Sequence, residues 1–240
     1  KNKNISPIKR LIVSLLVIIF LLWIDSELIL RDLKFSFFDI NKQILIPNIF
    51  QWLVTIFCFL VLINSLNMID GINILSSSFI LFVFSLMYYL NILSLNYIFI
   101  LPFFTFFLVH NHKYNIFFGS SGIMPAAFLI GYLFIKGFNQ KVFLFSDTAF
   151  VILFLPLIEL LRVMFLRVKI KQNPFDADQN HLHHYLYHSL GYYKSIFVLL
   201  VIYMSPSLLV VLDKPFYYLI FFLLIYLFLI KKFQNKNSFS

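Results

Sequence analysis

Residues 49–71 read IFQWLVTIFCFLVLINSLNMIDG, an apolar run that ends in a polar segment. An α-helix rises 1.5 Å per residue, so about 20 apolar residues are needed to cross the hydrocarbon core of a bilayer. Residues 49–63 fit such a span, whereas residues 64–73 carry three asparagines and an aspartate. This stretch therefore predicts a membrane-spanning helix with a polar loop at one end.

The composition extends this prediction to the whole chain. Its 240 residues are 61% apolar and only 12% charged, with a mean hydropathy of +0.91, whereas about 25% of the residues of a soluble domain are charged. No stretch shows the alternating ten-residue pattern of a membrane barrel. We therefore predict an all-α, polytopic transmembrane helical bundle, and the single Cys58 excludes an internal disulfide.

Apolar runs separated by polar breaks predict about eight spans in a single integral membrane domain that covers residues 1–240. The runs are residues 11–24, 49–63, 74–90, 97–109, 124–135, 149–166, 196–212 and 216–230.

The charge distribution predicts the orientation of these spans. Most of the 19 lysines and arginines fall on the same side as Lys1, so the positive-inside rule places both chain ends in the cytoplasm. The net charge of +9 is then a topology signal, and we expect no nucleic-acid partner. The interior cytoplasmic loops, residues 64–73, 110–122 and 167–194, are the most polar parts of the chain, so we expect the chemistry on this side.

The first loop contains Asn64, Asn67 and Asp70 at spacings of three, followed by Gly71. This spacing places the two amides and the carboxylate on nearly one helical face, where they can converge on one ligand or ion. A carboxylate this close to a membrane is expensive and usually faces a partner or a wet cavity. The alternative is a polar turn in which Gly71 ends the helix and the Asn and Asp side chains cap it.

The second loop joins a small basic cluster, which includes Asn111 and Lys113, to a Gly-Ser-Ser-Gly turn at residues 119–122. Backbone N–H groups at such a helix start can receive a phosphate oxygen, helped by the positive end of the helix dipole. An ordinary turn is the alternative.

The third loop carries the densest polar cluster, with Asp178 followed by His181, His183 and His184. Neutral imidazoles beside carboxylates are compatible with a zinc site. The same residues could equally hold a polyphosphate or a sugar, with Arg167 supplying further N–H donors. Before this loop, Glu159 and Arg162 predict either a neutralising ion pair or a role in catalysis.

The three loops, in this order and on one side of the membrane, resemble the polyprenyl-phosphate N-acetylhexosamine-1-phosphate transferases, which include phospho-N-acetylmuramoyl-pentapeptide transferase. Asn64-x-x-Asn67-x-x-Asp70-Gly71 is similar to the family's Asn-Ala-x-Asn-x-x-Asp-Gly signature. The segment Phe117-Phe-Gly-Ser-Ser-Gly is similar to its Phe-Met-Gly-Asp-x-Gly-Ser turn. Its Pro-Phe-x-x-Asp-x-x-His-x-His-His loop resembles residues 174–184.

The resemblance implies transfer of a sugar 1-phosphate from a UDP-sugar to polyprenyl phosphate at the cytoplasmic face of a bacterial inner membrane, with release of UMP. It implies Mg²⁺ as cofactor, and it leaves a homodimer open. Asp70 would organise the metal-bound diphosphate or the attacking lipid phosphate, together with Asn64 and Asn67. The implied substrate-binding residues are Asn73, Asn111, Lys113, Phe117, Gly119, Arg167, Asp178, His181, His183 and His184.

Two departures from the family pattern bear on activity. Ser120 stands where the family has a metal-binding Asp, and a hydroxyl is a much poorer Mg²⁺ ligand than a carboxylate. The family's paired aspartates would fall just before Lys1, in a segment that should also carry further spans. A non-catalytic relative that still binds nucleotide sugar or lipid phosphate is therefore one alternative. A membrane transporter, favoured only by hydropathy, is another.

Overall fold

The computed structural model describes residues 6–36, 42–93, 99–114, 118–143, 145–173, 180–212 and 218–237. These residues are mostly helical. The helices are α1 (Pro7–Ile24), α2 (Asn48–Met68), α3 (Leu75–Tyr89), α4 (Ile100–Tyr114), α5 (Gly119–Asn139), α6 (Asp147–Ile152), α7 (Phe154–Lys169), α8 (Leu182–Leu190), α9 (Tyr192–Met204), α10 (Leu208–Val211) and α11 (Leu219–Asn237).

Each predicted span overlaps at least one helix. In the part of the chain that is described, three helical segments are long and apolar enough to cross a membrane: Asn48–Met68, Gly119–Asn139 and Tyr192–Val211. Large apolar side chains also face outward, among them Phe20 and Trp23 on α1 and Phe57 on α2. Such a surface suits contact with lipid. The helical membrane architecture is thus supported, while the count of eight spans stays a prediction.

The chain also contains a short antiparallel β-hairpin, so the all-α prediction was wrong in this detail. Strand β1 (Asp32–Phe35) pairs with β2 (Lys42–Leu45), with Asp32 opposite Leu45. The hairpin is held from a distant part of the chain, because Ser146 and Lys34 exchange two hydrogen bonds of 2.8 and 2.9 Å. Strands of four residues show no clear period in a sequence, which is why the pattern did not reveal them.

The predicted span at residues 149–166 is broken into α6 and α7 at Leu153. Pro156 explains the interruption, since it has no N–H to bond the carbonyl four residues earlier and its ring clashes with that carbonyl. The sequence pattern predicted the apolar run but not the interruption within it.

Helix α2 packs against α1, α5 and α7. Its contact with α5 is close at Gly131, where an added Cβ would lie 2.8 Å from the Phe59 ring. Helix α5 has 21 residues and is therefore about 30 Å long. It starts at the polar first and second loops and ends at the segment that leads into the hairpin, where Asn139 donates to the carbonyl of Ile29 over 3.2 Å.

Candidate functional site

The first and second loops meet at the carboxylate of Asp70. Its Oδ2 accepts a 2.7 Å hydrogen bond from the backbone N–H of Gly119, and its Oδ1 accepts a 2.6 Å bond from the Ser76 hydroxyl. Gly119 has a φ of 71°, a left-handed conformation that glycine adopts at little cost. Asp70 therefore holds the start of α5 against the start of α3.

This contact bears on the alternative that Asp70 is only a capping residue. Phe118, the residue before α5, provides no side-chain cap. Asp70 supplies one from 49 residues away, at the positive end of the α5 dipole. Asp70 therefore caps α5 and not the helix that precedes Gly71, which the sequence suggested. The cap joins the motif of the first loop to the motif of the second loop.

Burial raises the pKa of Asp70 above its ordinary value of 3.8. Hydrogen bonds from Ser76 and from the backbone of Gly119 and Phe118 act in the opposite direction, but they are the smaller effect. The side chain is half-buried rather than sealed, so it is close to solvent on one side. A carboxylate poised in this way is suited to a polar ligand at the start of α5.

The third loop reaches the first through His183 and Gly71. A Cβ added to Gly71 would lie 1.7 Å from Nε2 of His183, so only glycine fits at this position. Gly71 follows Asp70 directly. Segments more than 100 residues apart along the chain are therefore in contact, and all three loops meet at one end of the bundle.

The three histidines lie close together in this region. The rings of His181 and His183 stack with their centroids 5.2 Å apart, and the centroids of His183 and His184 are 4.2 Å apart. His183 is 1% exposed, and neither ring nitrogen has a hydrogen-bond partner among the described residues. Burial and the neighbouring histidines lower the pKa of His183 to about 3. Its imidazole is thus neutral at physiological pH, and both of its nitrogens are buried, with Nε2 packed against Gly71.

A buried network behind the histidines was only partly predicted. Glu159 on α7 is fully buried and forms the expected ion pair with Arg162, at 2.9 Å from Nη2 to Oε1. No pattern of residues indicated that the same carboxylate also accepts a 2.9 Å bond from the backbone N–H of Leu182, faces Nδ1 of His181 at 3.3 Å and bonds the hydroxyl of Tyr226 on α11.

The other predicted site residues occupy varied positions. Asn64 is half-buried and its Nδ2 donates to the Leu60 carbonyl at 2.7 Å, so it bonds its own helix. Asn67 and Ser120 are half-buried, whereas Asn73 and Arg167 are buried. Lys113 is exposed, and its ammonium lies 5.2 Å from the Tyr114 ring centroid. The backbone of Asn111 belongs to α4. Phe117 and Asp178 lie outside the described residues.

The described residues contain no group of three or more His, Cys, Asp or Glu side chains that could hold a metal ion. The zinc site that the sequence left open stays a prediction, since Asp178 lies outside the described residues. Asp70 is the one carboxylate among the predicted site residues that the structure describes, and Ser120 adds only a hydroxyl, so Mg²⁺ would need further oxygens, such as those of substrate phosphates.

The fold and site define a helical membrane protein whose polar loops converge at one end of the bundle. A family model described as glycosyl transferase family 4 matches residues 2–138. Because the match covers more than half of the chain, the chain belongs to glycosyl transferase family 4. No curated protein and no solved structure matches the chain.

Family membership confirms the resemblance that the loop motifs predicted, and it favours a transferase over a transporter. Together with the apolar helices, it makes this chain a membrane-embedded transferase of a family that acts on a lipid substrate. The first and second loops lie inside the matched residues. The histidine loop lies beyond them, so its connection to the family pattern rests on the motif alone, while the structure places it against the matched residues at Gly71.

Proposed function

We propose that this protein transfers a sugar 1-phosphate, from the N-acetylhexosamine class, from a UDP-sugar to polyprenyl phosphate. The observation that carries the proposal is the convergence of Asp70, the N-terminus of α5 and the buried His183 at one place. A helix N-terminus and imidazole N–H groups suit phosphate and sugar oxygens. The product would begin a lipid-linked glycan of the cell envelope.

The chemistry needs little proton transfer. An oxygen of the lipid phosphate forms a bond to the β-phosphorus of the UDP-sugar. The bond from that phosphorus to the oxygen bridging the α-phosphorus breaks, and UMP leaves with the electron pair. Since the attacking phosphate is already ionised, the main tasks are to align the two phosphates and to offset their repulsion.

We assign these tasks to groups of the three loops. The N-terminus of α5 and the cationic side chains of Arg167 and Lys113 would attract the phosphates. His183, a neutral imidazole with a single N–H, would donate one hydrogen bond to the sugar diphosphate. Asp70 would order the start of α5 and one of the phosphate groups. Mg²⁺ would supply further charge compensation when bound, and this requirement stays a prediction.

Release of UMP tests the proposal. The protein is purified in detergent, reconstituted with undecaprenyl phosphate and supplied with UDP-N-acetylglucosamine or UDP-N-acetylgalactosamine, with and without Mg²⁺. We expect UMP and a lipid-linked sugar diphosphate in equal amounts, and their loss in the H183A variant. Hydrolysis of the nucleotide sugar without a lipid product would contradict the proposal.

A second candidate is a family member that binds these substrates without turnover, and Ser120 favours it. The test is the Ser120→Asp variant, with Ser121→Asp as the matched control one position along the same helix. The protein is a non-catalytic binder if the wild type releases no UMP and S120D does. S121D should release no UMP at the same Mg²⁺ concentrations. Turnover by the wild type excludes this candidate.

A further inference from the structure

The fully buried carboxylate of Glu159 has more partners than charge neutralisation requires. Arg162 occupies both carboxylate oxygens, with its Nε 3.1 Å from Oε2 and its Nη2 2.9 Å from Oε1. Three further groups then share the same carboxylate: the N–H of Leu182, Nδ1 of His181 and the hydroxyl of Tyr226. A simple ion pair would need none of them.

The bond from Leu182 identifies what the carboxylate does. Leu182 is the first residue of α8, and His181, which precedes it, gives this helix no side-chain cap. Glu159 accepts from an N–H that would otherwise have no partner within the helix, and its negative charge lies at the positive end of the α8 dipole. The carboxylate thus caps α8 from a different helix.

The contact with His181 also places a proton. An ionised carboxylate can only accept, so Nδ1 of His181 carries a proton in this contact. His183 and His184 are on the first turn of the same helix. Any displacement of the α8 N-terminus moves all three imidazoles together.

We propose that Glu159 is a positioning residue, which holds the histidine-bearing first turn of α8 against Gly71 while Arg162 and Tyr226 hold the carboxylate in place. What the histidines bind rests on the proposed function, but their position does not. The C-terminal helix α11 becomes part of the site in this way, because it supplies Tyr226 and packs against α8.

The test uses the Glu159→Gln variant, whose side chain has nearly the same volume but a single acceptor oxygen for five donors. Glu27→Gln is the matched control, since Glu27 is the chain's other glutamate and is exposed near the hairpin. Tyr226→Phe is a milder variant that keeps the carboxylate. Size-exclusion profiles and melting curves identify the variants that fold.

The first readout is the rate at which diethylpyrocarbonate modifies His183, followed by mass spectrometry, with the exposed His188 as internal reference. We expect E159Q to speed the modification of His183 by about tenfold or more, since local opening at the α8 N-terminus becomes easier. Y226F should have a smaller effect and E27Q none. Unchanged His183 reactivity in folded E159Q overturns the proposal.

The second readout is UMP release, which separates this inference from the proposed function. If the wild type is active, E159Q should raise KM for the UDP-sugar, and Y226F should fall between E159Q and the wild type. A full-rate E159Q enzyme with unchanged KM overturns the positioning role. A wild type without activity counts against the proposed function, while the His183 reactivities still decide the role of Glu159.

Discussion

At the residue scale, Asp70 combines a structural and a chemical role that one substitution can separate. Asn has the same shape, and its amide oxygen can still accept from Gly119 while its NH₂ group donates to the Ser76 hydroxyl. We expect D70N to keep the melting temperature close to wild type but to lower turnover by about 100-fold or more, since the charge is lost. Melting curves and UMP release measure the two effects.

The Asp70→Ala variant is the contrast to D70N. It leaves the Gly119 N–H without its acceptor, which should cost about 1 kcal/mol of unfolding free energy. Asp32→Ala is the control, because Asp32 accepts its 2.9 Å bond from Gln43 in the hairpin. If D70A melts like the wild type, Asp70 does not stabilise the start of α5.

The lowered pKa of His183 predicts that the free energy of unfolding depends on pH. Its pKa is lowered from 6.5 to about 3 in the folded protein, chiefly by burial. Between these values the unfolded chain binds more protons than the folded one, so the free energy of unfolding falls as the pH falls through this range. We expect His183→Gln to flatten this slope in melting curves, and His188→Gln to preserve it. Equal slopes in wild type and H183Q would refute the prediction.

At the element scale, the contact between the first loop and α8 can be measured as a coupling. Gly71→Ala places a methyl group where the His183 ring now lies, so it must displace α8 or destabilise the fold. We expect G71A to cost about 1–3 kcal/mol in the wild type and much less in an H183A background. Additive effects in this double-mutant cycle would show that the two loops are not in contact.

We make a separate prediction for the hairpin, which is an element far from the site. Asp147 is fully buried and its Oδ2 accepts from both the N–H and the hydroxyl of Ser36, at 2.8 and 3.0 Å. Asp147→Ala should lower the unfolding free energy by about 1–3 kcal/mol, because both donors lose their acceptor. The affinity for UMP should not change, since the hairpin is at the opposite end of α5. Altered UMP affinity in a folded D147A variant would contradict this separation.

The elements also differ in how far the sequence predicted them. The long apolar runs predicted the helices, because a helix satisfies its own backbone and needs only local sequence. The hairpin and the break at Leu153 were missed. The hairpin depends on hydrogen bonds to Ser146 and Asp147, more than 100 residues away. The break at Leu153 depends on one proline within an apolar run.

At the scale of the whole molecule, the two ends of α5 should lie on opposite sides of the membrane. Lys113 and Gln140 are exposed near its start and its end, respectively. In a Cys58→Ser background, a cysteine at position 113 should react with a membrane-impermeant maleimide only from the cytoplasmic side, and one at position 140 only from the other side. Labelling of both from one side would overturn the predicted topology.

The amino-acid sequence by itself determined the membrane character of the chain, its helices, the motifs of the three loops and hence the family. These properties follow from apolar content and from residues close together in the chain. Only the tertiary structure decided that Asp70 caps α5, that Gly71 admits the His183 ring and that Glu159 holds α8. Each of these contacts joins segments brought together by packing, and no local pattern encodes which distant donor or ring will fill a given space.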